Sequence, residues 1–597
     1  MDGILVKHVL KGLKCEGYGK PKFLLTSNGA YFYNNQNSKY RGLFSPIDKG
    51  NNTWSMFKSL DNISICAEIK SVTNKFGSYL IETEKGNLEF SFENQVLRIV
   101  GDFEGDIIFT LDMREIFDYD DKGRYYEIYE ENKLKIVEYK KFQDTELTNM
   151  MYDEFLVFKT KFPIEKIGAW RSEHYSEDEQ RKSYPQDLYV FDAFKVKWSK
   201  KGVMEIAFDD DKGVAIKKVE KYQSVKFEGQ KINAEKEKLI AYNCAIKSIF
   251  DLQIEMYNSK GFYAGLPWFF QIWTRDEGIS MKALVDLGKY DLVKAILQKR
   301  ISLISTAGRI QNRWPPANLE TADGTGWVFM RLHELLQAIK ENKAMEQYFS
   351  SNDLHYMYGQ LKNSIEAQWK NTKNFLVINK ALETWMDTSN EGDTREGARI
   401  EIQALWLAQL KFSSFLADEL SMKREYEYIE KETKKKVKEI FFTGEILKDG
   451  SEDTTIRPNV FMAKYIYPDL LTNEEWEKVF DACINSLWLD WGGFSTIDKN
   501  SKLYCSHYSG EDNKSYHRGD SWFFINNIAA MSLHMVNPEK YKPIVDKIIE
   551  ASTKDILYNG IIARPSELSS AAALKAEASL YQLWSAATYV ELIKNVT

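Results

Sequence analysis

Four stretches of this 597-residue sequence gather Trp, Arg, Asp, Glu and His beyond what packing a core needs. In Pro267-Trp268-Phe269-Phe270-Gln271-Ile272-Trp273-Thr274-Arg275-Asp276, a cation and an anion follow two indoles. Such a pair can donate to and accept from neighbouring sugar hydroxyls while an indole covers the ring face. The plainer reading is an N-cap aspartate with a surface ion pair. In Trp385-Met386-Asp387 a carboxyl follows two large apolar side chains. A dry pocket there would raise its pKa and suit a proton donor, although a lone Asp is more often a cap or a turn. The acids that follow, through Glu391 and Asp393, do not match the ligand spacing of a calcium loop. In Tyr516-His517-Arg518-Gly519-Asp520-Ser521-Trp522, His517 is either the wall of a sugar subsite or a structural histidine. In Arg564-Pro565-Ser566-Glu567-Leu568, Pro565 shapes a turn that can present Glu567 as a base. Alternatively Glu567 opens the last helix and complements its dipole.

Two kinds of element have to position these loops. Up to about residue 230 the hydrophobic period is two: Ile63, Ile65, Ala67 and Ile69 alternate with polar residues, as do Leu88, Phe90 and Phe92. Turn signals at 84–87, 120–123 and 209–213 separate such runs, the pattern of an antiparallel β-sandwich. The polar stretch Glu228-Gly229-Gln230-Lys231-Ile232-Asn233 marks the boundary, giving domains 1–230 and 231–597. Beyond it Leu239, Tyr242, Ala245, Ile246, Ile249 and Leu252 share one helical face. Roughly a dozen such segments follow, among them 276–287, 326–341, 398–418, 473–487, 518–535, 541–557 and 572–594. Without a short sequence repeat a solenoid is disfavoured, and a closed barrel of helical hairpins suits the pattern. The unusual chemistry lies in its connections.

Composition narrows the partner. A formal charge of −7 argues against nucleic acid, which calls for a basic face. The 15 Trp and 33 Tyr are compatible with sugar binding, although most of them must fill cores. Five cysteines, at 15, 66, 244, 483 and 505, lack CxxC spacing and read as reduced thiols of a cytoplasmic protein, not as a disulfide or zinc framework. The opening residues, from Met1 to His8, lack a secretory pattern, and no apolar run reaches the ~20 residues that span a bilayer.

Taken in order, these stretches resemble the amylo-α-1,6-glucosidase family, the glucosidase half of glycogen debranching enzymes. The resemblance runs through Phe23–Gly29, Lys39–Leu43, Ala264–Phe269, Arg275-Asp276, Thr321-Ala322-Asp323-Gly324-Thr325, Trp385-Met386-Asp387, Ile400–Trp406, Arg457-Pro458-Asn459, Tyr516–Gly519 and Ser566-Glu567-Leu568. It implies an N-terminal antiparallel β-sandwich followed by an all-α (α/α)6 barrel, and an inverting mechanism with neither metal nor cofactor. By position, Asp387 would be the general acid and Glu567 the general base. Arg275 and Asp276 would grip the terminal glucose, within a Trp-Thr-Arg-Asp string that glucoamylases share. Trp268, Trp273, Trp314, Asp323, Trp385, Glu401, His517 and Trp522 complete the expected substrate-binding set. The sequence departs from the family at Thr274, where Gly is usual, and at Glu320 and Gln403, where Asn is usual.

The activity implied is glucose release from an α-glucan, at α-1,6 branch stubs or, as in glucoamylases, at α-1,4 ends. Trp385-Met386-Asp387 stands where glucoamylases would carry a Trp-Glu-Glu pattern. A phosphorylase of similar architecture would need phosphate in place of a base, which Glu567 argues against. A non-catalytic glycan-binding protein would not need both carboxylates.

Overall fold

The computed structural model describes residues 6–9, 22–142, 152–222, 229–257, 259–317 and 319–596. Cys15, the first five residues and Glu228 of the expected boundary lie outside them. The chain divides into two compact units, 1–253 with 561–563, and 254–560 with 564–597. The first therefore runs past residue 230, taking in the helix Lys236–Asp251.

The first unit is antiparallel sheet. Among the described residues a nine-stranded sheet forms one layer, and a five-stranded and a four-stranded sheet face it. Aromatic pairs join the layers: Phe57 stacks on Phe208 at 5.1 Å and Phe109 meets Phe158 edge-on at 5.3 Å. The alternation read from sequence recurs in Gly86–Glu93, where Leu88, Phe90 and Phe92 are buried. The run from Ile63 to Ile69 is broken, however, into strands Asn62–Ile65 and Ile69–Asn74. The third turn signal is a helix start instead, with Asp211 capping Lys212–Glu220 by accepting from the Val214 amide.

The second unit is a barrel of helices. Eleven of them matter here: α1 Thr274–Asp286, α2 Tyr290–Ile301, α3 Gly324–Glu341, α4 Ser351–Trp369, α5 Ile400–Glu419 and α6 Glu427–Phe441. The others are α7 Asn459–Ile466, α8 Asn473–Leu487, α9 Phe523–Val536, α10 Pro538–Lys554 and α11 Leu583–Val596. The odd-numbered helices form a closed ring: α1 packs on α3, α3 on α5, α5 on α7, α7 on α9, α9 on α11, and α11 returns to α1. These six are buried nearly all round, whereas α6 buries only Thr433, Val437 and Phe441. An outer, amphipathic helix lies in sequence between each inner one and the next, so the inner helices all run the same way. Close packing of the ring needs small residues: a Cβ on Gly326 of α3 would lie 2.7 Å from that of Leu405 on α5. No described helix is long and apolar enough to cross a membrane.

Candidate active site

Parallel inner helices bring six N-termini to one end of the ring, and the expected site residues lie there. Arg275 and Asp276 occupy the first turn of α1, Asp323 precedes α3, Glu401 opens α5 and Trp522 precedes α9. Two-residue strand pairs pin the loops between them. Ile272–Trp273 pairs with Arg313–Trp314, and Ser521–Trp522 with Leu568–Ser569, next to Glu567.

Arg275 is the hub. Its Nε donates to Asp323 at 2.6 Å, one Nη to Asp387 at 3.0 Å, and the other to the Thr384 carbonyl at 2.9 Å. Thr321 donates its hydroxyl to the other oxygen of Asp323. Arg275, Asp276 and Asp323 are buried, and the N-cap of α1 is Trp273, so neither an N-cap nor a surface ion pair describes this Arg-Asp pair.

The two carboxylates read as acid and base stand in unlike surroundings. The Asp387 side chain keeps 35% of its exposure. Desolvation nevertheless raises its pKa above the ordinary aspartate value, against the pull of Arg275. Trp385 and Met386 are buried behind it. Glu567 is itself buried. It accepts from the Tyr516 hydroxyl at 2.7 Å and from the Ser579 amide at 3.1 Å. It does not open the last helix, which begins sixteen residues later at Leu583. Asp276 links the pair: burial, with the charges of Glu567 and Asp387, lifts its carboxyl to about 8 despite Arg275. One oxygen accepts from Gln582 at 3.1 Å.

The remaining expected residues fall into two groups. Trp268, Trp273 and Trp314 are partly exposed on the loops ahead of α1 and α3. Trp385, Trp522, Glu401 and His517 are enclosed. Trp385 packs edge-on against Trp522 at 5.4 Å and donates its indole N–H to Asn459 at 2.7 Å. Both oxygens of Glu401 are taken by Arg395, which also holds Asp449 and the Thr384 hydroxyl. These residues brace the loop carrying Asp387 from behind. His517 lies flat on Trp522 at 5.1 Å, with Nδ1 2.8 Å from the Thr388 hydroxyl. Desolvation and four nearby arginines hold its pKa well below the usual value, so it is neutral. Its Nε2 has no partner among the described residues.

Several members of the site carry no sign of their role in the sequence. Gln582 is a lone neutral amide, Asn459 lies in the Arg457-Pro458-Asn459 stretch noted only for its resemblance, and Tyr516 lies within a stretch read for its histidine. Their shared signal is position, at or just before the start of an inner helix or beside Glu567. Arg395 and Asp449 give no local sign of pairing across 54 residues. Among the described residues no group of three or more His, Cys, Asp or Glu is arranged to hold a metal ion.

A closed ring of six inner helices with carboxylates at one end defines an (α/α)6 barrel. A family model described as amylo-alpha-1,6-glucosidase matches residues 244–591, and the chain belongs to that family. A bacterial glucoamylase, solved as a complex with acarbose, shares the fold at 10% identity and a TM-score of 0.59, over 99% of this chain and 97% of that one. An uncharacterized conserved protein from Thermus thermophilus aligns at 11% identity and a TM-score of 0.44, over 59% of this chain and 98% of its own. No curated protein matches the chain.

Proposed function

We propose that the protein is an inverting glycoside hydrolase that releases glucose from α-glucans, preferentially from α-1,6-linked stubs. The observation that supports this reading is that the Arg275-Asp276 pair connects to both carboxylate loops. Arg275 donates to Asp387 at 3.0 Å, and Asp276 accepts at 3.1 Å from Gln582, whose backbone amide donates at 2.9 Å to the Pro565 carbonyl two residues before Glu567. Glycoside hydrolysis needs one carboxyl to protonate the leaving oxygen and a second to activate water on the opposite face of the sugar. Asp387 has the raised pKa and the solvent access of the acid. Glu567, oriented by Tyr516 and Ser579, has the fixed geometry of the base. Arg275 and Asp276 supply a donor and an acceptor for hydroxyls of the terminal glucose, and Trp268, Trp273 and Trp314 supply apolar ring faces. Trp385, Glu401 and Trp522 act through the residues they support.

The α-1,6 preference rests on the family. A glucoamylase-type preference for α-1,4 ends is the second reading, favoured by the string Trp273-Thr274-Arg275-Asp276. Comparing kcat/KM for an oligosaccharide bearing one α-1,6-glucosyl stub with that for linear maltooligosaccharides decides between them. The stub should be cleaved faster; a clear preference for the linear chains would overturn the first reading and establish the second.

A further inference from the structure

The first unit carries a cleft of about 330 Å3, lined by Asp121, Gly123, Arg124, Trp170 and Tyr189, whose chemistry the carboxylate centre does not use. Strand Ile164–His174 is the edge of the four-stranded sheet, and Asp187–Trp198 is its neighbour. Register sets Trp170 opposite Phe191 and Tyr189 opposite Ser172. Trp170 and Tyr189 are therefore diagonal neighbours on one face, roughly 7–8 Å apart along the backbone. They are 44% and 53% exposed.

An indole left so open is normally covered or mobile, but this one is held. Phe191 lies 5.2 Å from its centroid and Tyr126 5.5 Å, with the Arg124 guanidinium 5.2 Å over the ring. Arg124 is fixed in turn by the Asp112 carboxylate at 2.9 Å, the Tyr126 hydroxyl at 3.0 Å and the Tyr189 carbonyl at 3.2 Å. Its side chain is 3% exposed, and its buried Nε–H has no acceptor among the described residues. A buried donor without a partner is uncommon in a folded protein. Asp121 adds an exposed carboxylate as acceptor, and Gly123 leaves the floor without a side chain.

We propose that this cleft is a second α-glucan-binding site, separate from the residues that cleave the chain. Immobilised, exposed aromatic surface beside a carboxylate acceptor suits a pyranose, which has an apolar face and hydroxyls at its edge. A purely apolar ligand would leave Asp121 unmatched, and an acidic chain of charge −7 disfavours a polyanion. The choice of α-glucan rests on the function proposed above. Because the aromatic rings are already ordered, little conformational entropy is lost on binding, and the site serves to hold a polymer while its ends are trimmed.

Affinity electrophoresis through gels containing glycogen tests this on the full chain, for the native protein and for Trp170→Ala and Tyr189→Ser. Glucose release from a small oligosaccharide bearing one α-1,6-glucosyl stub is measured alongside as the readout of folding and of the catalytic centre. Each variant should bind glycogen about tenfold more weakly, the effect of losing one aromatic contact, with turnover of the small oligosaccharide unchanged. Release from stub-bearing glycogen below saturation should fall in proportion. If both variants turn over the small oligosaccharide normally and bind glycogen as the native protein does, the site is refuted while the catalytic reading stands. If the native protein binds glycogen through Trp170 but releases no glucose from any α-glucan, the site stands and the catalytic reading fails.

Discussion

Asp387 and Glu567 are both acidic, yet their surroundings predict opposite responses to neutralisation. Asp387→Asn should cripple cleavage of substrates with poor leaving groups but spare glucosyl fluoride, which needs no proton donor; equal losses on both would contradict the acid role. Glu567→Gln should abolish both activities, since no base remains to activate water. Tyr516→Phe removes a hydrogen bond to a carboxylate, worth roughly 1.5–3 kcal/mol. It should lower kcat about tenfold to a hundredfold with little change in Tm, and an unchanged kcat would make Tyr516 mere packing. Asp276→Asn should lose about 2–4 kcal/mol of transition-state binding; normal kinetics would remove Asp276 from the site. At this scale the sequence is informative where charge clusters with indole, as in Trp273–Asp276 and Trp385–Asp387. It is uninformative for Gln582 and Asp449, whose partners are distant along the chain and whose residue types recur everywhere.

The short α7 lies in none of the periodic segments named, whereas the other inner helices are legible from theirs, most ends falling within a few residues. The last one is not. An Ala-rich run after Ser570 reads as helix by propensity and predicts a start at 572, yet α11 begins at Leu583. Between them the chain is committed to the site. The Glu567 amide donates to the Ser579 carbonyl at 2.7 Å, the Ser579 amide returns to the Glu567 carboxylate, and Leu568–Ser569 pairs with Ala576–Glu577. Tertiary hydrogen bonds that hold the catalytic loop outweigh helix propensity of a few tenths of a kcal/mol per residue. The loop before α9 is constrained by crowding instead. A Cβ on Gly519 would stand 1.7 Å from the Cys505 carbonyl oxygen. Gly519→Ala should therefore displace Tyr516 and His517 and cut kcat/KM at least about tenfold. A fully active Gly519→Ala enzyme would show that this loop tolerates movement.

In the barrel several buried acids have no cation paired with them among the described residues. Asp520 is lifted to about 8 and Asp555 to about 7, in each case chiefly by desolvation. Their unfolded values lie near 3.9, so the folded state binds more protons between those limits. Stability is then fullest below the unfolded pKa and declines as pH rises through about 7–8. Tm measured against pH should fall across that window, and Asp520→Asn should make the fall shallower; a wild-type Tm that rises through it would contradict these protonation states. The two-layer sheet and the helical ring are readable from the change of period near residue 230, but sequence alone does not show that Lys236–Asp251 groups with the sheet unit. Ring closure gathers Asp387 and Glu567, 180 residues apart, at one end of the helices. Inversion requires the acid and the base to act from opposite sides of one bond. The anomeric form of the first glucose released tests that most directly. With an α-linked substrate followed by NMR before mutarotation, β-glucose should appear first. Initial release of α-glucose would contradict the inverting assignment of Asp387 and Glu567.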